Sequence, residues 1–293
     1  MDRKEFLKKS ALGLGAIAIV DKLAANPQPQ DNPEWDKTVG FEHSPAHTYN
    51  QNMKIQANML IHRADTRGGA DHGWLKARHT FSFANYYDPE RMHFGVLRVL
   101  NDDRVAPSRG FGTHPHNNME IITIPLTGAL QHKDSMGNTA IIRKGEVQIM
   151  SAGTGIQHSE MNPNNDADVT LLQIWVLPKN QNIQPRYEQK LYESQARQNR
   201  FQTVVSPSDK SAVWINQDAY FHLADFDKGH TDTYRLTQPA QNGVYLFVIS
   251  GQLQIAEQVL NPRDGMGIWN VSELEIKAQS KAEFLIMELP MLV

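Results

Sequence analysis

The fold is indicated most clearly by the stretch Thr113–Asp134, "THPHNNMEIITIPLTGALQHKD". Apolar and polar residues alternate through its middle, and the alternation stops at a Thr-Gly turn. This period of two predicts a β-strand, because successive side chains of a strand point to opposite faces. The two histidines at the start, His114 and His116, are also two residues apart. Both imidazoles therefore lie on one face if that segment is extended.

Strand-and-turn patterns continue along the chain. In the first half, "NTAIIRKGEVQIMSAGTGIQHSEMN" predicts two short strands with glycine turns, and "VTLLQIWVLP" is a continuous apolar run typical of a buried strand. In the second half, "GVYLFVISGQLQIAEQVLNPRDGMGIWN" repeats the same order of apolar strand and glycine turn. These patterns predict an all-β fold of two β-barrels in tandem, of the jelly-roll type. Two separate sandwiches are the alternative.

The domain organisation follows from shifts in composition. We expect a first barrel over residues 53–177 and a second over residues 201–293. Residues 178–200 are polar, lack a clear apolar period, and are interpreted as a connector with a short helix. Residues 26–52 are rich in Pro, Gln and Asn and are interpreted as a linker.

Residues 1–25 have the features of an export signal. A basic start is followed by the apolar stretch Ala11–Val20, which is too short to span a bilayer but fits the core of a signal peptide. "RKEFLK" resembles a twin-arginine signal with lysine in the second basic position. We therefore expect export, to the periplasm, and no stable membrane span. A cytoplasmic protein with an amphipathic N-terminal helix is the alternative.

Composition excludes some classes of site and partner. The formal net charge is only -3, so no strongly basic face for nucleic acid is expected. The chain has no cysteine, which excludes disulfides and thiolate metal sites. Any metal must therefore be held by nitrogen and oxygen atoms. No oligomeric state is predicted.

A second pair with the same spacing completes a candidate metal site. His158 and Glu160 lie two apart in "QHSEM", about forty residues after the first histidine pair. Imidazole and carboxylate together suit iron, nickel, copper, manganese or zinc. Glu120, four residues after His116, has the same strand parity and could ligate or orient a ligand. The alternatives are ordinary structural or surface histidines, and a solvated strand glutamate at position 120.

The remaining histidines and aromatics carry weaker signals. Isolated histidines are usually structural and hydrogen-bonded, and five in the first half of the chain are interpreted in this way: His62, His72, His79, His93 and His132. The aromatics of "RHTFSFANYYDPE" could line a ligand pocket, although core packing is the preferred interpretation: Phe81, Phe83, Tyr86 and Tyr87.

Three segments together resemble the pirin family of the cupin superfamily: "HTFSFANYYDP", "HPHNNMEIITIPLTGALQHKDSMGN" and "GEVQIMSAGTGIQHSEMN". The resemblance runs from about Met59 to Leu177 and continues more loosely to the C-terminus. It implies a bicupin with one metal in the N-terminal barrel. The implied ligands are His114, His116, His158 and Glu160, with Glu160 ranked ahead of Glu120. The C-terminal half has His222 and His230 but neither an HxH nor an HxE pattern, so no metal is expected there.

The resemblance also implies an activity. It predicts a mononuclear metal dioxygenase that cleaves a flavonol such as quercetin with O2. One divalent transition metal is expected, with iron as the first choice and nickel, manganese, copper or zinc as alternatives. Glu160 or Glu120 would accept the substrate's hydroxyl proton. The rival hypotheses are a metal-dependent binding or regulatory protein without turnover, and a structural pair of barrels with an empty site.

Overall fold

The computed structural model describes residues 57–291. Within these residues the regular structure consists of twenty-two β-strands and two short 3-10 helices, Ala64–Thr66 and Ser194–Arg197. None of the helices in this part of the chain is long and apolar enough to cross a membrane. The predicted export signal and linker lie outside the described residues.

The first twelve strands precede residue 192. They are β1 Asn58–His62, β2 Gly68–Asp71, β3 Leu75–His79, β4 Leu97–Val105, β5 Gly110–His116, β6 Glu120–Thr127, β7 Ala129–Asp134, β8 Thr139–Arg143, β9 Glu146–Ser151, β10 Ile156–Met161, β11 Val169–Val176 and β12 Arg186–Leu191.

Ten further strands follow. They are β13 Gln202–Ser206, β14 Val213–Trp214, β15 Tyr220–Phe226, β16 Thr231–Arg235, β17 Asn242–Ser250, β18 Leu253–Ile255, β19 Gln258–Leu260, β20 Gly265–Trp269, β21 Glu273–Ala278 and β22 Ala282–Pro290.

These strands form two sandwiches, each of one seven-stranded and one four-stranded sheet. In the first sandwich the sheet orders are β12-β9-β6-β11-β4-β3-β2 and β5-β10-β7-β8. In the second they are β1-β20-β17-β22-β15-β13-β14 and β16-β21-β18-β19. The predicted all-β, tandem jelly-roll fold is confirmed. The sheets stay open at their edges, so each unit is a sandwich rather than a closed barrel.

A continuous apolar core joins the two seven-stranded sheets. Ile122 and Ile174 of the first sandwich are fully buried in one cluster with Val205, Phe221 and Tyr245 of the second. The alternation along β6 explains this, because every second residue faces the second sandwich while the residues between face the interior of the first.

Two segments depart from a simple division of the chain. Strand β1 pairs with β20, so residues that precede the first sandwich belong to a sheet of the second. Strand β12 lies within the expected connector and pairs along its length with β9, from Arg186 opposite Ser151 to Leu191 opposite Glu146. β12 is an edge strand whose side chains are half-buried or exposed, so it carries no apolar alternation. The domain boundaries drawn from composition remain predictions.

Candidate metal centre

The two predicted pairs meet on neighbouring strands. β5 and β10 run antiparallel with His114 opposite His158 and His116 opposite Ile156. β5 is the edge strand of its sheet, which explains why Pro115 is tolerated between the histidines, since an edge strand has positions whose N–H is not needed for pairing. Along β10 burial alternates, and His158 and Glu160 both point inward.

Three histidines form one compact group. The ring centroids lie 4.8 Å apart for His114 and His116, 4.4 Å for His114 and His158, and 4.9 Å for His116 and His158. One nitrogen from each ring lies within 4.8 Å of the other two. His116 and His158 are buried, whereas His114 is half-buried and connects the group to solvent. The sequence prediction that these three side chains converge is therefore reproduced in the geometry.

The hydrogen bonds leave nitrogen lone pairs free to bind a metal. Nδ1 of His114 lies 2.8 Å from the carbonyl oxygen of Gly112, which can only accept, so Nδ1 donates and Nε2 keeps its lone pair. Nε2 of His158 is buried and has no hydrogen-bond partner among residues 57–291. Burial lowers the pKa of His116 to about 3 and the pKa of His158 further below its usual value, so both imidazoles are neutral near pH 7. Such a donor set fits a divalent transition ion.

Glu160 lies beside this group in a polar pocket. Its Oε2 accepts a hydrogen bond from Nε2 of Gln173 at 2.7 Å, and its Oε1 accepts one from Oγ1 of Thr123 at 3.3 Å. It belongs to a second group of potential ligands, with His132 and His158, whose atoms also lie within 4.8 Å of one another. The structure thus brings Glu160 to His158, but not into one such group with His114 and His116. Its role as fourth ligand stays a prediction.

Glu120 is placed elsewhere. Asn118 adopts a left-handed conformation (φ +44) between β5 and β6, so the strand alternation counted from His116 does not continue to Glu120. Its Oε2 accepts hydrogen bonds from Ser151 Oγ at 2.7 Å and from the backbone N–H of Asn216 at 3.2 Å. It lies buried against the second sandwich, where burial raises its pKa. The expected ligand or proton-acceptor role of Glu120 does not fit this position.

Two residues at the centre were not recognised in the sequence. β7 pairs with the other edge of β10, which places Asp134 opposite His158 and His132 opposite Glu160. Nδ1 of His132 lies 3.4 Å from Nδ1 of His158, and Nε2 of His132 lies 3.0 Å from Oδ2 of Asp134. The interpretation of His132 as an isolated structural histidine is incomplete. The spacing of "HKD", again two residues, is the signal that could have found this pair.

An apolar wall flanks the histidines. The indole of Trp175 lies edge-on to His116 with centroids 4.9 Å apart, and Phe83 packs edge-on against Trp175 at 5.4 Å. A small cluster of buried side chains lies against Trp175: Ile121, Met150, Ala152 and Ile156. Of the predicted aromatics, Phe81 packs in the core between the sandwiches, and Tyr87 is exposed. Phe83 is thus the one of these three that reaches the wall of the candidate site.

Among residues 57–291, both groups of potential metal ligands lie in the first sandwich. Two jelly-roll sandwiches in tandem, with a histidine cluster in the first, define the chain as a bicupin. It belongs to the pirin family. The family model described as Pirin matches residues 61–176, and the model described as Quercetinase C-terminal cupin domain matches residues 203–289.

Similar proteins agree with this assignment. A protein of Escherichia coli K12 named quercetin 2,3-dioxygenase is 42% identical over 79% of this chain and 99% of its own length. A pirin-like protein of Caulobacter vibrioides is also 42% identical, over 76% of this chain and 96% of its own. The crystal structure of bacterial pirin YhhW from Escherichia coli in complex with nickel(II) matches with a TM-score of 0.76 and 40% identity, over 80% of this chain and 100% of that one.

Proposed function

We propose that this protein is a mononuclear metal dioxygenase that cleaves a flavonol such as quercetin with O2. The observation that carries the proposal is the compact group of three histidines, His114, His116 and His158, beside an aromatic wall. Relatives named quercetin 2,3-dioxygenase that match over nearly their whole length support the substrate class. In the proposed reaction dioxygen adds across the heterocycle, the ring opens and carbon monoxide is released.

The residues proposed to hold the metal are His114, His116, His158 and Glu160. Iron is the proposed ion, and nickel, manganese, copper and zinc suit the same donors. The nickel(II) complex of the Escherichia coli relative supports a divalent ion. A bound ion of this kind supplies a Lewis acid that lowers the pKa of a substrate hydroxyl.

The chain itself binds and orients the substrate. Trp175 and Phe83 offer an apolar surface against which a flat phenolic ring can pack, and this surface keeps water from the reacting atoms. Among residues 57–291, the indole N–H of Trp175 is buried and has no hydrogen-bond partner. Entry is from the side of His114, the most exposed of the three histidines.

Glu160 is proposed to take up the hydroxyl proton. It is a carboxylate next to the ligand cluster, and its two oxygens accept hydrogen bonds from Gln173 and Thr123. These bonds hold the carboxylate in one orientation, as a positioned general base requires. Glu120, which contacts Asn216 at the second sandwich, is not proposed to take part in this step.

The test combines binding with oxygen uptake. Metal-loaded protein mixed with quercetin in air should bleach the flavonol absorbance while consuming oxygen and releasing carbon monoxide. Anaerobic mixing should shift the spectrum without bleaching it. The His116→Ala variant should do neither, whereas His72→Ala, which changes an exposed histidine outside the site, should behave as wild type.

Two results would change the proposal. Metal-dependent binding of quercetin without oxygen uptake would favour a binding or regulatory protein. Oxygen uptake with another enolic or phenolic compound, but not with flavonols, would keep the dioxygenase and discard the substrate.

A further inference from the structure

A series of hydrogen-bonded side chains reaches His158 at Nδ1, on the opposite side of its ring from the unpartnered Nε2. It runs from Asp134 through His132 to His158, with separations of 3.0 Å and 3.4 Å between the bonded atoms. All three side chains are almost completely withdrawn from solvent. None of them except His158 belongs to the ligand set implied by the family resemblance.

Asp134 is held as a hydrogen-bond acceptor. Its Oδ1 accepts the backbone N–H groups of Met136 and Asn138 at 2.9 Å and 3.0 Å, and its Oδ2 accepts Nδ2 of Asn138 at 2.8 Å. Burial by itself would raise the pKa of Asp134, but the hydrogen bonds from Asn138 and His132 outweigh burial and lower it. The group is therefore a fixed carboxylate.

The ionised Asp134 decides which nitrogen donates in each of the two hydrogen bonds. Because ionised Asp134 can only accept, Nε2 of His132 must carry a proton. In a neutral imidazole the other nitrogen then accepts, so Nδ1 of His132 accepts from Nδ1–H of His158. This leaves His158 with its lone pair on Nε2, the buried nitrogen that has no hydrogen-bond partner in the described part of the chain.

The same contacts argue against His132 as a ligand in its own right. His132, His158 and Glu160 are close enough to hold an ion. Both nitrogens of His132 are, however, already engaged, one with Asp134 and the other with His158. Its ring also packs on Tyr187, with centroids 4.7 Å apart, which restricts its rotation.

We infer that His132 and Asp134 are positioning residues that fix the tautomer and orientation of His158, so that its Nε2 faces the metal with a free lone pair. A ligating histidine commonly donates its second ring N–H to a neighbouring group. Here that neighbour is a second histidine backed by a carboxylate. The inference rests on the proposed metal site, but not on the proposed flavonol substrate.

The substitution Asp134→Asn should reverse the direction of both hydrogen bonds, from residue 134 to His132 and from His132 to His158. The amide oxygen can keep both backbone hydrogen bonds of Oδ1, but an NH2 group now faces Nε2 of His132. His132 must then carry its proton on Nδ1, and the proton of His158 moves to Nε2, where it blocks the lone pair. We expect Ni(II) to bind about 10–100-fold more weakly to the metal-free variant than to wild type, in a competition titration against a chelator.

The control is Asn138→Ala. It removes the other side-chain donor to the same oxygen of Asp134 and leaves His132 in place. Its affinity for Ni(II) should lie much closer to that of wild type than to that of Asp134→Asn, because both backbone N–H groups and His132 still donate to Asp134. An equal loss in both variants would show that the turn, rather than the tautomer, matters, and would overturn the inference.

Nuclear magnetic resonance of the metal-free protein reads the tautomer directly. With 15N-labelled histidine, His158 should carry its proton on Nδ1 in wild type and on Nε2 in Asp134→Asn. A proton on Nε2 of His158 in wild type would refute the inference without any variant.

A second pair of variants covers the case in which Asp134→Asn does not fold. Gln at position 132 can donate to Asp134 and accept from His158, whereas Leu can do neither. His132→Gln should retain most of the Ni(II) affinity, and His132→Leu should lose about 10–100-fold. Complete loss in both would make His132 a ligand instead. Failure of wild type itself to bind Ni(II) would count against the proposed metal site. The tautomer measurement would still test whether His132 and Asp134 fix the proton of His158 on Nδ1.

Discussion

Glu160 and Glu120 are the two candidate carboxylate ligands, and their different positions predict different effects of replacing them. Glu160 lies beside His158 in the interior of the first sandwich, whereas Glu120 contacts Ser151 and Asn216 at the boundary with the second. Glu160→Gln should therefore weaken metal binding strongly, and Glu120→Gln should leave it unchanged. Both variants replace a carboxylate by an amide of nearly the same shape.

The expected magnitude follows from the contacts. Loss of a residue that only supports a ligand typically costs about 10–100-fold in affinity. Loss of a ligating carboxylate should exceed this, so Glu160→Gln should cost more than about 100-fold, or about 2.7 kcal/mol of binding free energy. The variant should still fold. If the Gln173 amide flips, its oxygen accepts from the new NH2 group at position 160 and its own NH2 group donates to Thr123 Oγ1, so the hydrogen bonds around position 160 are kept.

The assay is a chelator competition titration of the metal-free proteins at one pH. Circular dichroism melts should accompany it to confirm that each variant is folded. A larger loss of affinity in Glu120→Gln than in Glu160→Gln would refute this assignment, since it would require the side chain at position 120 to reach the histidines.

Further predictions concern acid stability, a turn and export. Burial lowers the pKa of His222 from 6.5 to about 4, so between these pH values only the unfolded chain binds this proton. As the pH is lowered through this range, the free energy of unfolding should fall by up to about 1.4 kcal/mol per pH unit. Denaturant titrations from pH 6.5 to 4.5 should show a shallower pH dependence for His222→Gln than for wild type. Gly153 has φ +48 and a β-carbon there would overlap the carbonyl oxygen of Ile183, so Gly153→Ala should lower the melting temperature more than Gly137→Ala, where φ is also positive but the space is open. The basic and apolar start of residues 1–25 motivates export; fractionation of the native host should find a shortened form outside the cytoplasm, and full-length protein confined to the cytoplasm would contradict it.

Local side-chain patterns made much of the fold and site predictable. The period of two in "EIITIPL" identifies a strand because adjacent strand residues face opposite sides, and β6 follows this pattern with one face in the core between the sandwiches. The same rule explains why His114 and His116 could be paired from sequence. Their meeting with His158 was inferred from the second pair and the resemblance, and the register of β5 against β10 provides it.

The tertiary structure decided what the local pattern could not. The left-handed turn at Asn118 places Glu120 on the far side of the sheet, although counting residues puts it with the histidines. The polar edge strand β12 carries no alternation, because its side chains are only half-buried. β1 joins a sheet whose other strands follow it by some 140 residues or more in the chain, a pairing that no local period encodes.

For His132 and Asp134, too, the sequence determines one part of the arrangement and the tertiary structure the other. Their spacing marks them as two residues of one strand face, which the sequence alone determines. Their contact with His158 exists because β10 pairs with β5 on one edge and with β7 on the other. Strand alternation is set by neighbouring residues, but strand adjacency is set by the packing of the whole sheet. The chemistry of this centre depends on both.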